Sequence, residues 1–230
     1  MTDHETAKVV TAVEELLADG WRPYPGGYPG QIELALIDAV FSIRARYGQA
    51  ADEATGREAT GVRAVVDRWR KRDGAPTSFD DLGVIASTDV TEFTRLLQNR
   101  SVTSRQLKSE AVHQAADRLA QAGIRTTADF RANLSVAKRE YTAVRGLGRV
   151  TFSYLGMLLG VPDVKSDVWI TRFVGGALSR EVGAEEARRL LHSVAEQLTG
   201  NEKGLPTGVT ELDHAIWFAM SQRQGETGEA

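Results

Sequence analysis

The sequence predicts an all-α fold. Apolar residues recur at helical spacing along almost the whole chain, and no convincing stretch alternates with the period of two that a half-buried strand requires. The helical stripes are short and are separated by breaks that carry Gly or Pro. Many short helices in a chain of 230 residues suggest two helical lobes, although this length also suffices for one large core.

The first stripe, Glu5–Ala18, places Val9, Val10, Val13, Leu16 and Leu17 on one face and stops at Gly20. Gly20–Gly30, with Pro23, Pro25 and Pro29, is a loop. Ile32–Tyr47 is apolar nearly all round, which predicts a central buried helix. Stripes over Gly61–Arg72, Thr88–Gln98 and Arg105–Ala122 follow, the last capped by Ser104 and ended by Gly123. Shorter helices are expected over Thr127–Asn133 and Val136–Val144. After a Gly-Leu-Gly turn come Val150–Gly160, Asp167–Leu178, Ala184–Leu198 and Glu211–Arg223. Thr210 with Asp213 forms a capping-box pattern before the last of these. The polar tail beyond Gln224 is expected to fray.

Cysteine is absent, so no disulfide and no thiolate-held iron–sulfur cluster can form. No apolar run approaches the length of a membrane span, and the start, with Asp3 and Glu5, lacks a signal peptide's basic region. These features predict a cytoplasmic protein with no membrane partner. His4, His113, His192 and His214 show no paired metal-ligand spacing, so no metal site is expected.

The net charge of −3, from 28 basic and 31 acidic residues, argues against a nucleic-acid partner. Local charge counts for more, because binding responds to the local field. Gly61–Asp73 holds Arg63, Arg68, Arg70, Lys71 and Arg72 against Asp67 and Asp73, and reads equally well as a solvated helix face. Lys138–Arg149 holds Lys138, Arg139, Arg145 and Arg149 against Glu140, and it brackets the Gly-Leu-Gly turn.

That turn opens the most informative segment, Val144–Val174. Gly146 and Gly148 let the chain turn sharply and leave backbone N–H groups uncovered at the start of the next helix, a ready site for a phosphate. One helix later Asp167 opens the following helix, ahead of Val168, Trp169 and Ile170. Asp at that position is also a good helix cap, and a cap would keep the carboxylate ionised, so both roles are compatible.

This segment resembles the helix-hairpin-helix DNA glycosylase superfamily (HhH-GPD), the group that includes endonuclease III. The matching parts are the hairpin Gly146-Leu147-Gly148, the turn Gly160-Val161-Pro162 and Asp167. Leu212–Trp217 resembles the closing helix of some members, and a weaker likeness extends back to about Ile32. The resemblance implies a lobe over residues 31–159 ending in the hairpin, a second lobe from residues 1–30 and 160–230, and a cleft between them with Asp167 at its lip.

It also implies an activity: excision of a damaged or modified base from double-stranded DNA by a monomer that associates with the nucleoid. Asp167 would stabilise the sugar cation, while Arg145, Gly146, Leu147, Gly148, Arg149 and Thr151 would hold the DNA backbone. Arg44 matches the residue that fills the gap left by the flipped base, and the wedge maps to about Ser104–Leu107, with Gln106 and Leu107 favoured. Asp38, Trp169 and His214 are candidates for the base pocket; His214 with Asp213 also reads as a structural pair beside Trp217. No cofactor is implied beyond a monovalent cation at the hairpin carbonyls.

One departure limits the chemistry. Members that also cleave the strand carry a Lys after the hairpin, where Val150 stands here. Valine cannot form a Schiff base, so the implied enzyme is monofunctional. Lys165 is the amine nearest to Asp167 in the sequence. The alternatives are a non-catalytic helix-hairpin-helix DNA-binding protein and an accessory protein that uses its helical body for partner contact.

Overall fold

The computed structural model of the chain describes residues 3–45, 47–201 and 203–227. In chain order its helices are α1 (Asp3–Leu16), α2 (Ile32–Phe41), α3 (Gly61–Arg70), α4 (Leu82–Ser87) and α5 (Val90–Leu97). Two short strands follow, β1 (Val102–Thr103) and β2 (Gln106–Leu107), then α6 (Lys108–Gln121), α7 (Thr127–Ala132) and α8 (Leu134–Thr142). The remaining helices are α9 (Arg149–Leu158), α10 (Val168–Leu178), α11 (Ala184–Leu198) and α12 (Val209–Thr227). The chain divides into two compact units, one of Gly27–Val161 and one of Met1–Gly26 with Pro162–Ala230. Among the described residues no helix is long and apolar enough to cross a membrane.

In the Gly27–Val161 unit, α2 is the central helix and every one of its residues is buried. Leu34, Ile37 and Val40 on α2 share one core with Trp69, Phe93, Val112, Phe130 and Tyr141. Its one acidic residue near the start, Glu33, accepts from the Trp69 indole at 2.8 Å and the Asp81 N–H at 3.4 Å. Arg72 pairs with Glu33 at 3.9 Å and stacks 3.5 Å above the Trp69 ring. Arg68 is bonded to the Leu97 carbonyl, and Arg70 and Lys71 pair with Asp67. Much of the Gly61–Asp73 basic run therefore serves the fold.

Three local expectations need correction. The central helix ends at Phe41 rather than Tyr47, because Arg44 turns into the left-handed region at φ 47°. The buried Lys108 ammonium closes that end, donating to the carbonyls of Phe41 (3.0 Å) and Ile43 (2.6 Å). A lysine there meets carbonyls that the helix leaves unpaired and its negative dipole end. Second, α6 starts at Lys108, not Arg105, and Ser104 does not cap it. Ser104 and Arg105 instead form the two-residue turn between β1 and β2, at φ 46° and 69°. Third, α4 was not foreseen; it is capped by Asp81, whose carboxylate accepts from the Gly83 N–H at 2.8 Å.

The second unit is built on α1, α10, α11 and α12, with Val9, Val13, Val174, Leu190, Leu191, Val194, Leu212 and Ile216 in its core. The Trp21 indole ties the loop after α1 to the Gly204 carbonyl at 2.9 Å. The capping box expected from Thr210 and Asp213 does not form. Thr210 lies inside α12, and both side chains bond to the segment before α10. Helix α12 also continues to Thr227, past the point where fraying was expected, and the last three residues lie outside the described residues.

Candidate active site and nucleic-acid interface

The hairpin joins α8 to α9. Val144 and Leu147 are sunk in the core, and the Leu147 N–H donates to the Val144 carbonyl at 3.1 Å. Leu147 thus anchors the turn, leaving Arg145, Gly148 and Arg149 exposed. Gly146 sits at φ 84°, and a Cβ there would stand 2.9 Å from Ser104 Oγ and 3.0 Å from Ser104 Cβ. Only glycine meets both demands. Gly148 is the N-cap of α9 and brings no side chain to the first-turn N–H groups. Its own N–H donates to Thr151 Oγ1 at 3.1 Å, and the Thr151 hydroxyl returns a bond to the Gly148 carbonyl at 2.9 Å.

The β1–β2 turn is docked on this hairpin. Gln106 Nε2 donates to the Arg145 carbonyl at 2.6 Å, and its Oε1 accepts from Gln114 at 3.2 Å. Leu107 is the N-cap of α6, and its N–H donates to Glu110 Oε2 at 2.9 Å. Both wedge candidates are thus tied down, while Ser104 and Arg105 at the tip are exposed. Arg44 is exposed too, in the turn after α2.

Asp38, fully buried on α2, lies beneath a set of hydroxyls. Tyr28 (2.9 Å) and Tyr47 (2.6 Å) donate to its Oδ2, and Ser42 (3.0 Å) and Tyr154 (3.2 Å) donate to Oδ1. Burial pushes the carboxyl up and the four hydroxyl bonds oppose that shift. Burial and the Asp38 charge hold the Tyr28 and Tyr47 phenols above their usual range, so both remain donors. Asp38 itself is closed off; the half-buried rings of Tyr28, Tyr47 and Tyr154 form the partly accessible surface of the cluster.

Asp167 belongs to the other unit and is the N-cap of α10. Its Oδ1 accepts from the N–H groups of Trp169 (2.9 Å) and Ile170 (3.3 Å). Oδ2 has no hydrogen-bond partner among the described residues, so the cap fixes the carboxylate and still offers one oxygen. The preceding Ser166 is buried at φ 45°, in the left-handed region. Asp213, also buried, accepts from the Lys165 N–H at 3.0 Å. Burial first, then the charge of Asp167, pushes the Asp213 carboxyl up to about 7. On the next residue, the His214 ring lies 5.5 Å from Tyr24, 5.8 Å from Trp217 and 6.4 Å from Phe218. Burial, then Arg22, holds His214 below its ordinary value, so it is a neutral ring at pH 7. Trp169 lies under the Arg172 guanidinium, 5.6 Å away.

Sequence reasoning missed Tyr28, Tyr47 and Tyr154 around Asp38, and Tyr24, Trp217 and Phe218 around His214, as groups. The one local signal was His214 beside Trp217 and Phe218; the other rings come from positions distant in sequence. No cluster of His, Asp and Glu among the described residues is arranged to hold a metal ion.

A family model described as a domain of unknown function (DUF8548) matches residues 7–221. No curated protein matches the chain. Among solved structures, one of MBOgg1 in complex with a low affinity DNA ligand superposes with a TM-score of 0.58 at 12% identity, covering 96% of this chain and 70% of that one. A trapped endonuclease III–DNA covalent intermediate, an estranged-adenine complex, gives 0.54 at 13% identity, covering 95% and 85%. At these identities the likeness is one of fold: the chain shares the all-helical fold of the two structures, and it has no cysteine with which to hold an iron–sulfur cluster.

Proposed function

The chain belongs to the DUF8548 family, and we propose that it is a monofunctional DNA glycosylase that hydrolyses the N-glycosidic bond of a damaged or modified base. The observation that carries this reading is Asp167, a carboxylate fixed by two backbone N–H bonds with its second oxygen uncommitted, in a chain with a glycosylase fold. As the base leaves, positive charge grows on the sugar, and a fixed anion stabilises that charge without reorganising. The same carboxylate orients the attacking water and accepts its proton.

In this reading the protein acts as a monomer on double-stranded DNA. The exposed first-turn end of α9, with Arg145 and Arg149 around it and Thr151 bracing Gly148, holds a backbone phosphate; a monovalent cation sits at the hairpin carbonyls. The target base leaves the stack before it reacts. Arg44 fills the gap. The wedge is Arg105 at the exposed tip; the Gln106 side chain is bonded to the Arg145 carbonyl, and Leu107 is half-buried at the start of α6. His214, with Tyr24, Trp217 and Phe218, forms an aromatic wall suited to stacking on the extruded base. With Val150 at the hairpin, base release leaves an intact abasic strand.

Incubation with duplexes that each carry one modified base, followed by alkali, tests the reading. Strand breaks that depend on both enzyme and alkali, on one or more duplexes, are expected. Tight duplex binding with no alkali-revealed break on any of them would leave a non-catalytic DNA-binding protein instead.

A further inference from the structure

Two carboxylates of the same unit meet beside the turn that leads into α10, and the glycosylase reading uses one of them. We propose that Asp213 is a positioning residue for Asp167: it clamps the Lys165–Ser166 turn that delivers the Asp167 carboxylate. The proposal rests on the reading of Asp167 as the group that faces the sugar.

The clamp follows from the backbone. Ser166 holds φ 45°, a left-handed backbone that an L-residue adopts only at a cost. Among the described residues its buried hydroxyl has no hydrogen-bond partner to offset that cost. Such a residue persists where its surroundings over-determine it. On the C-terminal side the Asp167 cap fixes the chain to α10; on the N-terminal side the Lys165 N–H is held by Asp213. Thr210, one turn earlier on α12, adds bonds to the Asp163 N–H and carbonyl, both at 3.3 Å. Side chains that a local motif would spend on starting α12 are thus spent on the loop that carries Asp167.

Charge acts on the same clamp. Asp213 is buried, and the groups that act on it are Asp167, Lys165 and Asp163 from the segment before α10. On α11, Arg188 (2.5 Å) and His192 (3.4 Å) are both directed to Asp163. His214, next to Asp213 on α12, is held neutral. Val9 and Val13 of α1 and Val174 of α10 contribute apolar surface to the same core. Burial and the charge of Asp167 outweigh that of Lys165, so the Asp213 carboxyl is pushed up to about 7.

The sign of the pH effect follows. Asp213 is raised from 3.8 to about 7 in the folded protein, so protonated Asp213 favours folding, and that contribution is lost as pH rises between those values.

Carboxyl ¹³C NMR titration of the full chain reads the pair directly. Asp213 is expected to titrate near neutrality, and Asp167→Asn, which keeps the cap, should move that midpoint down. Asp213→Asn keeps an acceptor for the Lys165 N–H, so it should preserve slow amide exchange at Lys165, remove the loss of stability between pH 4 and 7, and remove the near-neutral ionisation from the pH profile of single-turnover base release. Asp213→Leu should lose Lys165 protection as well.

An Asp213 midpoint in the ordinary aspartate range, or one that Asp167→Asn leaves in place, would overturn the placement of a buried Asp213 against the turn that carries Asp167. Unchanged Lys165 exchange in Asp213→Leu would overturn the clamp. If Asp213→Leu fails to fold, the comparison of wild type with Asp213→Asn and Asp167→Asn still decides the proposal. If the wild type releases no base from any duplex, the glycosylase reading fails, while the NMR midpoints and Lys165 exchange still decide whether Asp213 holds the turn.

Discussion

Replacing Gly146 with Ala tests whether the hairpin is locked to the β1–β2 turn. The new methyl would stand 2.9 Å from Ser104 Oγ, 3.0 Å from Ser104 Cβ and 3.1 Å from Thr103 Oγ1, on a backbone at φ 84°. The left-handed backbone costs an L-residue about 1–2 kcal/mol. Forcing a methyl into a packed contact adds about 1–3 kcal/mol. Together these predict a loss of about 2–5 kcal/mol, or a fall in Tm of roughly 4–20 °C for a chain of this size. The second term belongs to Ser104 and the first does not. Ser104→Gly removes the obstructing Cβ and Oγ and also suits its own φ of 46°, so it should stabilise the parent slightly. In that background Gly146→Ala should cost less by about 1–2 kcal/mol. Urea unfolding of the parent, both single variants and the double variant gives the cycle. Additive effects within error, or a Gly146→Ala protein as stable as its parent, would refute the packing of the turn on the hairpin.

Other outcomes follow from the same geometry. Arg145→Ala and Arg149→Ala should each weaken binding to all duplex sequences about equally and flatten the dependence of log K on log salt by about 0.9, as read by fluorescence anisotropy across a salt series. Borohydride should trap no protein–DNA adduct, because Val150 supplies no amine; a trapped adduct would overturn the monofunctional assignment and point first to Lys165. Arg105→Ala should slow base release from a fully paired duplex more than from one whose target base is mismatched, since a wedge acts on the opening of the pair.

The fold was legible wherever the signal was local. Amphipathic stripes gave α1, α3, α5 and α11 nearly to their ends. Helix α4 escaped because six residues show too little of a stripe to reveal its period. The β1–β2 turn escaped because its left-handed positions are Ser104 and Arg105, where a glycine would have marked them. The end of α2 is set by Lys108, distant in sequence, while the apolar pattern runs on past Phe41. At Thr210 and Asp213 a plausible local cap gave way to tertiary bonds with the segment before α10.

The candidate site divides the same way. The Gly-Leu-Gly hairpin and the Asp167 cap are short-range motifs and stand in the sequence as written. Asp38 was visible, but the three phenols that close over it come from positions 28, 47 and 154, and nothing local brings them together. Asp213 read as part of a helix start; only the folded unit sets it beside Asp167.

Single-turnover base release by Asp167→Asn tests the central claim most directly. Asn caps a helix about as well as Asp, so the bonds to Trp169 and Ile170, the fold and duplex affinity should survive. What disappears is the negative charge facing the sugar. The account predicts a fall in release of about a thousandfold, close to 4 kcal/mol of lost transition-state stabilisation. Release near the wild-type rate from a folded, DNA-binding Asp167→Asn protein would contradict it and leave Asp167 as a helix cap alone.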